Sequence, residues 1–164
     1  MPLKLAEGLV DEVKAYLVAN LAAKLTALDT EYADGITLAE PAIAFYVGER
    51  SLDAIPQYPA VFILAERTTV ESWHAAFTDA SHRFIVGAFI LDQDSETLGR
   101  RLYRWGRAFW ELLIEARGDG GLSYHLVDVP IEIDFAPIGR QGPSGPFLAG
   151  LQVSASARKQ ETKP

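Results

Sequence analysis

The chain has 164 residues, 49% of them apolar and 23% charged, with 22 acidic against 15 basic side chains for a formal charge of −7. These values fit one globular domain that buries roughly 70% of its unfolded surface, and they exclude bulk disorder and low-complexity structure. The absence of cysteine excludes a disulfide framework, a thiolate metal site and a cysteine nucleophile, and the acidic balance argues against tight nonspecific binding to nucleic acid.

The first segment, residues 5–28, reads as a helix. Leu5, Leu9, Val13, Leu17, Leu21, Leu25 and Leu28 recur at spacings of three and four, which makes one apolar stripe. Glu7, Asp11 and Glu12 interrupt this segment, so it does not read as a signal peptide. No apolar run is long enough to span a membrane. Asp34-Gly35 marks a turn. Ile43, Phe45 and Val47 then alternate as a short strand, with Pro41 at its start.

Two apolar runs follow, AVFILAE from Ala60 and RFIVGAFILD from Arg83. Both are apolar on successive residues, as strands buried on two faces would be. The intervening TTVESWHAAFTDAS lacks Gly and Pro. It reads as a long hairpin or as a hairpin with a broad tip. Asp94 or Ser95 then caps a second helix, with Glu96 favouring its dipole. Leu98, Leu102, Trp105, Phe109, Leu112 and Ala116 form its apolar stripe, and Arg117-Gly118 ends it. Val127, Val129, Ile131, Ile133 and Phe135 alternate with Asp128, Pro130, Glu132 and Asp134, giving an edge or bulged strand. A turn-rich GRQGPSGP precedes a last strand in FLAGLQVSASA. The expected fold is α+β, a mainly antiparallel sheet with two principal helices in the order α-β-β-β-α-β-β. One domain is expected over residues 1–157 and a flexible tail over 158–164.

Chemistry is harder to find. His74, His82 and His125 lack partners at metal-ligand spacing. Asp92, Asp94 and Glu96 lack the glycine and the later glutamate of a calcium loop, and helix capping explains them. Gly139, Gly142 and Gly145 are flanked by strands rather than by a strand and a helix, so they read as a hairpin loop. Ser81 and His82 are adjacent on a strand and point to opposite faces, which prevents a nucleophile–base pair. The sequence therefore predicts no enzyme, no cofactor and no metal.

Two features stand out instead. Arg100, Arg104 and Arg107 share one face of the second helix. They are candidates for a subunit contact with Asp128, Glu132 and Asp134. Trp73, His74 and Phe77 place large side chains in a hairpin tip, where an intersubunit contact would use them. The central strands also need cover on both faces, while only two long helices exist. A neighbouring subunit is the natural second cover.

The leading helix, the YPAVFILAE and HRFIVGAFILD strands, the ETLGRRLYRWGRAFWELL helix and two trailing strands together resemble the tail terminator, or tail completion, proteins of long-tailed bacteriophages. The resemblance covers roughly residues 5–157 and carries no catalytic residues. It implies a virion protein assembled in the host cytoplasm as a homo-oligomeric ring, typically a hexamer. The ring would cap the head-proximal end of the tail-tube protein, stop its polymerisation and dock onto a head-completion or connector protein. DNA would pass through an acidic lumen without specific binding. A head-completion protein of the same neck and a small-ligand-binding α+β domain are the competing expectations.

Overall fold

The structure, a computed structural model, describes residues 5–40, 42–48, 51–73, 77–118, 121–126, 131–136 and 139–162. Helix α1 spans Leu5–Tyr32 and helix α2 spans Ser95–Gly118. The strands are β1 (Ala44–Val47), β2 (Ala60–Trp73), β3 (Phe77–Asp92), β4 (His125–Leu126), β5 (Glu132–Phe135), β6 (Gly139–Arg140) and β7 (Phe147–Thr162). They form a seven-stranded sheet in the order β1-β2-β3-β7, with β4, β5 and β6 successively paired along the far side of β7. All pairs are antiparallel except β1 with β2. The fold is α+β, as the sequence predicts.

The predicted apolar stripes become the core. Leu9, Val13, Leu17, Leu21, Leu25 and Leu28 of α1 are buried, as are Leu98, Leu102, Trp105, Phe109, Leu112 and Ala116 of α2. Both helices cover the same side of the sheet, over Val61, Ile63, Phe84, Val86, Ala88, Ile90, Leu151 and Val153. In β3 the alternation is regular: Thr78, Ala80, His82, Phe84, Val86, Ala88 and Ile90 are buried beneath the helix side, and intervening residues face the other way. Helix α2 starts as its sequence predicts. The Asp94 carboxylate accepts a hydrogen bond from the Thr97 amide at 2.7 Å, a first-turn donor that lacks an intrahelical partner. That bond holds the Asp94 carboxyl below the ordinary value.

Three boundaries differ from expectation. Helix α1 runs four residues past Leu28 to Tyr32, because Asp29 and Glu31 are tolerated on its solvent side. The Asp29 carboxylate then accepts bonds from the amides of Leu38 and Ala39 and anchors the returning chain. The expected tail from residue 158 is instead strand: β7 continues to Thr162, paired with β3 up to Phe77. The ladder of a 16-residue β3 supplies backbone partners there that composition could not reveal. The predicted strand over residues 127–135 is described only as β5, since residues 127–130, like Pro41, lie outside the described residues.

Candidate interaction surface

The side of the sheet away from the helices is built from the alternate residues of the same strands. Cross-strand register brings Ala60 opposite Phe89, Phe62 opposite Gly87 and Leu64 opposite Ile85. The next rung over pairs Gly87 with Gln152 and Phe89 with Gly150. The glycines matter. A Cβ on Gly87 would lie 2.1 Å from Cζ of Phe62 and 2.7 Å from the Leu151 carbonyl oxygen, and one on Gly150 would lie 3.0 Å from Cε1 of Phe89. Each phenylalanine therefore lies down across a glycine of the next strand. The two rings sit 5.3 Å apart, tilted by 30°, within the range for favourable aromatic pairs.

These rings floor an open groove of about 390 Å³ lined by Tyr46, Ile55, Phe62, Leu64, Ile85, Phe89, Glu66 and Gln152. The floor continues toward Ala136 and Leu148. Apart from the buried Ile55, its aromatic and aliphatic side chains are half-buried, in contrast to the sealed helix side. Charges rim one end. Arg83 bridges Glu66 at 2.8 Å and Glu132 at 3.2 Å, and Gln152 donates to Asp134 at 3.5 Å.

The sequence-predicted site residues fall into separate places. Glu132 and Asp134 reach this rim. Asp128 and His74 lie outside the described residues. Trp73 closes β2 and Phe77, half-buried, opens β3, and the two strands stay paired as far as Trp73 with Thr78. Gly139, Gly142 and Gly145 occupy a hairpin between β6 and β7, with Gly142 at φ +76°, as their sequence predicts. Ser81 and His82 point to opposite sides of β3. His82 is buried, 3.0 Å from the Thr68 hydroxyl.

The arginine stripe of α2 divides: Arg104 and Arg107 find acidic partners within the chain, and Arg100 stays at the surface. Arg104 is only 7% exposed and forms a two-pronged pair with Asp34, one prong at 3.0 Å, while its guanidinium stacks 3.9 Å from the Tyr32 ring. Arg107 grips both oxygens of Glu31, at 2.7 and 3.0 Å, and reaches Glu111 at 2.6 Å. Arg100 makes an exposed bridge to Glu96 at 2.9 Å. The cause is the extension of α1, which brings Glu31, Tyr32 and Asp34 alongside α2. This seam is electrostatically coherent. The Arg104 guanidinium holds Asp34 down at about 2. Hydrogen bonding to Glu115 raises Lys24. Burial pushes Glu111 up, but Arg107 and Lys24 outweigh it and leave it below its ordinary value.

Arg101, outside the predicted stripe, is also buried, with Asp92 at 3.0 Å and Glu40 as partners. Among the described residues no group of three or more His, Cys, Asp or Glu is placed to hold a metal ion, and no helix is long and apolar enough to cross a membrane. What the arrangement can do is bind: a concave aromatic surface with a charged rim suits association more than bond-making. The sequence reading missed its key pairs, Phe62 over Gly87 and Phe89 over Gly150. The signal was present only as two-sided apolarity of the strands. Neither a protein-family model nor a curated protein sequence matches the chain.

Proposed function

We propose that the chain is the subunit of a homo-oligomeric ring that caps a phage tail tube, ends its polymerisation and offers the head connector its docking surface. The observation that carries this reading is the uncovered, aromatic-floored side of the sheet. A monomer that folds both helices onto one face leaves Phe62, Leu64, Ile85 and Phe89 in contact with water. Burying such apolar area yields about 25 cal/mol per Å², and a neighbouring subunit supplies that cover. The resemblance in sequence names the ring's setting, and the charge of −7 suits a lumen through which DNA slides without sticking.

The test is electron microscopy of the chain mixed with tail-tube protein. The reading expects stain-excluding caps on one end of each tube and tubes of limited length. Tubes that grow uncapped, with the chain monomeric at every concentration, would end it. A second reading, a small-ligand site, draws on the groove's volume of about 390 Å³, which falls in the usual range for ligand pockets. It expects a wild-type monomer whose Phe62 and Phe89 environments respond to an apolar ligand.

A further inference from the structure

Helix α2 has a second side. Its core stripe faces the sheet, but Tyr103, Trp110 and Ile114 are 63%, 41% and 40% exposed. Spacings of seven and four put them on one line along the helix, opposite the core. Arg100 and Arg107 fall on the same line, three residues before and four after Tyr103. Phe135 of β5 joins its edge, 43% exposed with its ring 5.0 Å from that of Tyr103. Trp, Tyr and Arg are the side chains enriched at interface anchors. An ordinary solvated helix face does not gather them with an Ile and a Phe.

We infer that the groove on the sheet of one copy receives this outer stripe of α2 from the next copy, in a head-to-tail contact. The inference rests on the ring reading and names the interface within it. The two surfaces lie on different sides of the molecule, one on the helix-free face and one on the outside of the helix layer. A head-to-tail contact requires such an unlike pair, whereas a two-fold contact requires one self-complementary patch. The dimensions agree. The stripe spans about 16 Å from Tyr103 to Ile114 at 1.5 Å per residue, and the β2 wall of the groove spans about 20 Å from Ala60 to Glu66.

Charge selects the occupant. At one end of the groove Glu66, Glu132 and Asp134 gather around Arg83, with the exposed Arg67 opposite it across the strands. Groove-on-groove pairing would oppose two acidic rims. The stripe instead brings Arg100, whose bridge to Glu96 is an exposed i,i+4 pair that is weak enough to exchange. Strand-edge pairing is blocked as well. Beyond β1, the edge of β2 is interrupted by register shifts between Ala65 and Arg67 and between Val70 and Ser72. Bulges are a usual obstacle to strand addition.

The experiment is light scattering on size-separated protein, with tail-tube protein absent and present, for Trp110→Glu and Phe89→Glu. Each variant loses one of the two surfaces and keeps the other. Both are expected to stay monomeric alone, at concentrations roughly 100-fold above those at which the wild type assembles. Mixed together they are expected to form a one-to-one heterodimer and nothing larger. Because Phe89 also supports its own sheet, Arg100→Glu and Asp134→Arg repeat the test at exposed positions. Each alone is expected to weaken association roughly tenfold, and the double variant to regain most of it. If Trp110→Glu assembles normally while Phe89→Glu does not, the contact is groove on groove: the inference fails and the ring stands. Absence of the heterodimer, or no rescue in the double variant, also overturns the inference. A wild type monomeric even on tubes removes the ring reading with it.

Discussion

Strand β3 carries two histories in alternate residues. Phe84, Val86, Ala88 and Ile90 face the helices and are entirely buried, while Ile85 and Phe89, one residue away, face the other side and stay half-exposed. The residue types hardly differ, so hydrophobicity does not explain the difference. Cover does. On one side Leu17, Leu21, Trp105 and Phe109 of the helices share one buried core with it; on the other the rings lie flat on glycines and hide part of their area. A sheet side finished by helices is a core, and the same chemistry without helices is left half-exposed.

Truncation should separate the two sides most sharply. Phe84→Ala removes a ring that has no exposure and should lower the unfolding free energy by about 3–5 kcal/mol. Phe89→Ala should lower that of the monomer by about 1–2 kcal/mol, in proportion to the area it keeps from water. Urea denaturation of the monomer measures both. Equal losses would mean that the helix-free side is as much a core as the helix side.

A smaller effect is expected at the floor of the groove. Gly87→Ala forces its new methyl into the Phe62 ring and the Leu151 carbonyl and should be destabilising by about 1–3 kcal/mol. Adding Phe62→Ala should recover only part of that loss, because the carbonyl cannot move aside as a ring can. Full additivity of the two changes in the same denaturation experiment would show that the ring does not lie on this glycine.

The least effect at neutral pH should come from the seam that holds the helices to each other. Asp34 titrates at about 2 in the folded chain against an ordinary 3.8. A carboxyl depressed by folding adds stability that is fully present above 3.8 and lost as pH falls through about 2. Asp34→Asn should therefore flatten the acid limb of the stability profile in that window. It should leave the groove unaffected, since no group of this seam touches it. A wild-type and a variant profile that run parallel from neutrality to pH about 2 would show that the Arg104 pair is not formed in solution.

The helices and their buried faces were legible because a period of 3.6 can be read from Leu9 to Leu28 and from Leu98 to Ala116 without knowing what they meet. The cap at Asp94, the glycine hairpin before β7 and the opposed faces of Ser81 and His82 were legible for the same reason: each depends on neighbours in sequence. The groove was legible only as a missing cover. Its floor needs Phe62 beside Gly87 and Phe89 beside Gly150, pairs set by strand register, and a slip of one residue would turn every side chain to the other side.

The arginines show the same limit. Spacing placed Arg100, Arg104 and Arg107 on one helix face, but their partners Asp34 and Glu31 lie 70 and 76 residues away. So the sequence by itself determined the local elements, which sides of them are apolar, and that one side of the sheet would lack helices. The tertiary structure alone decided which charges are satisfied within the chain and which rings remain partly exposed. Local periodicity is a property of adjacent residues, whereas pairing across strands and between helices exists only once the chain has closed on itself.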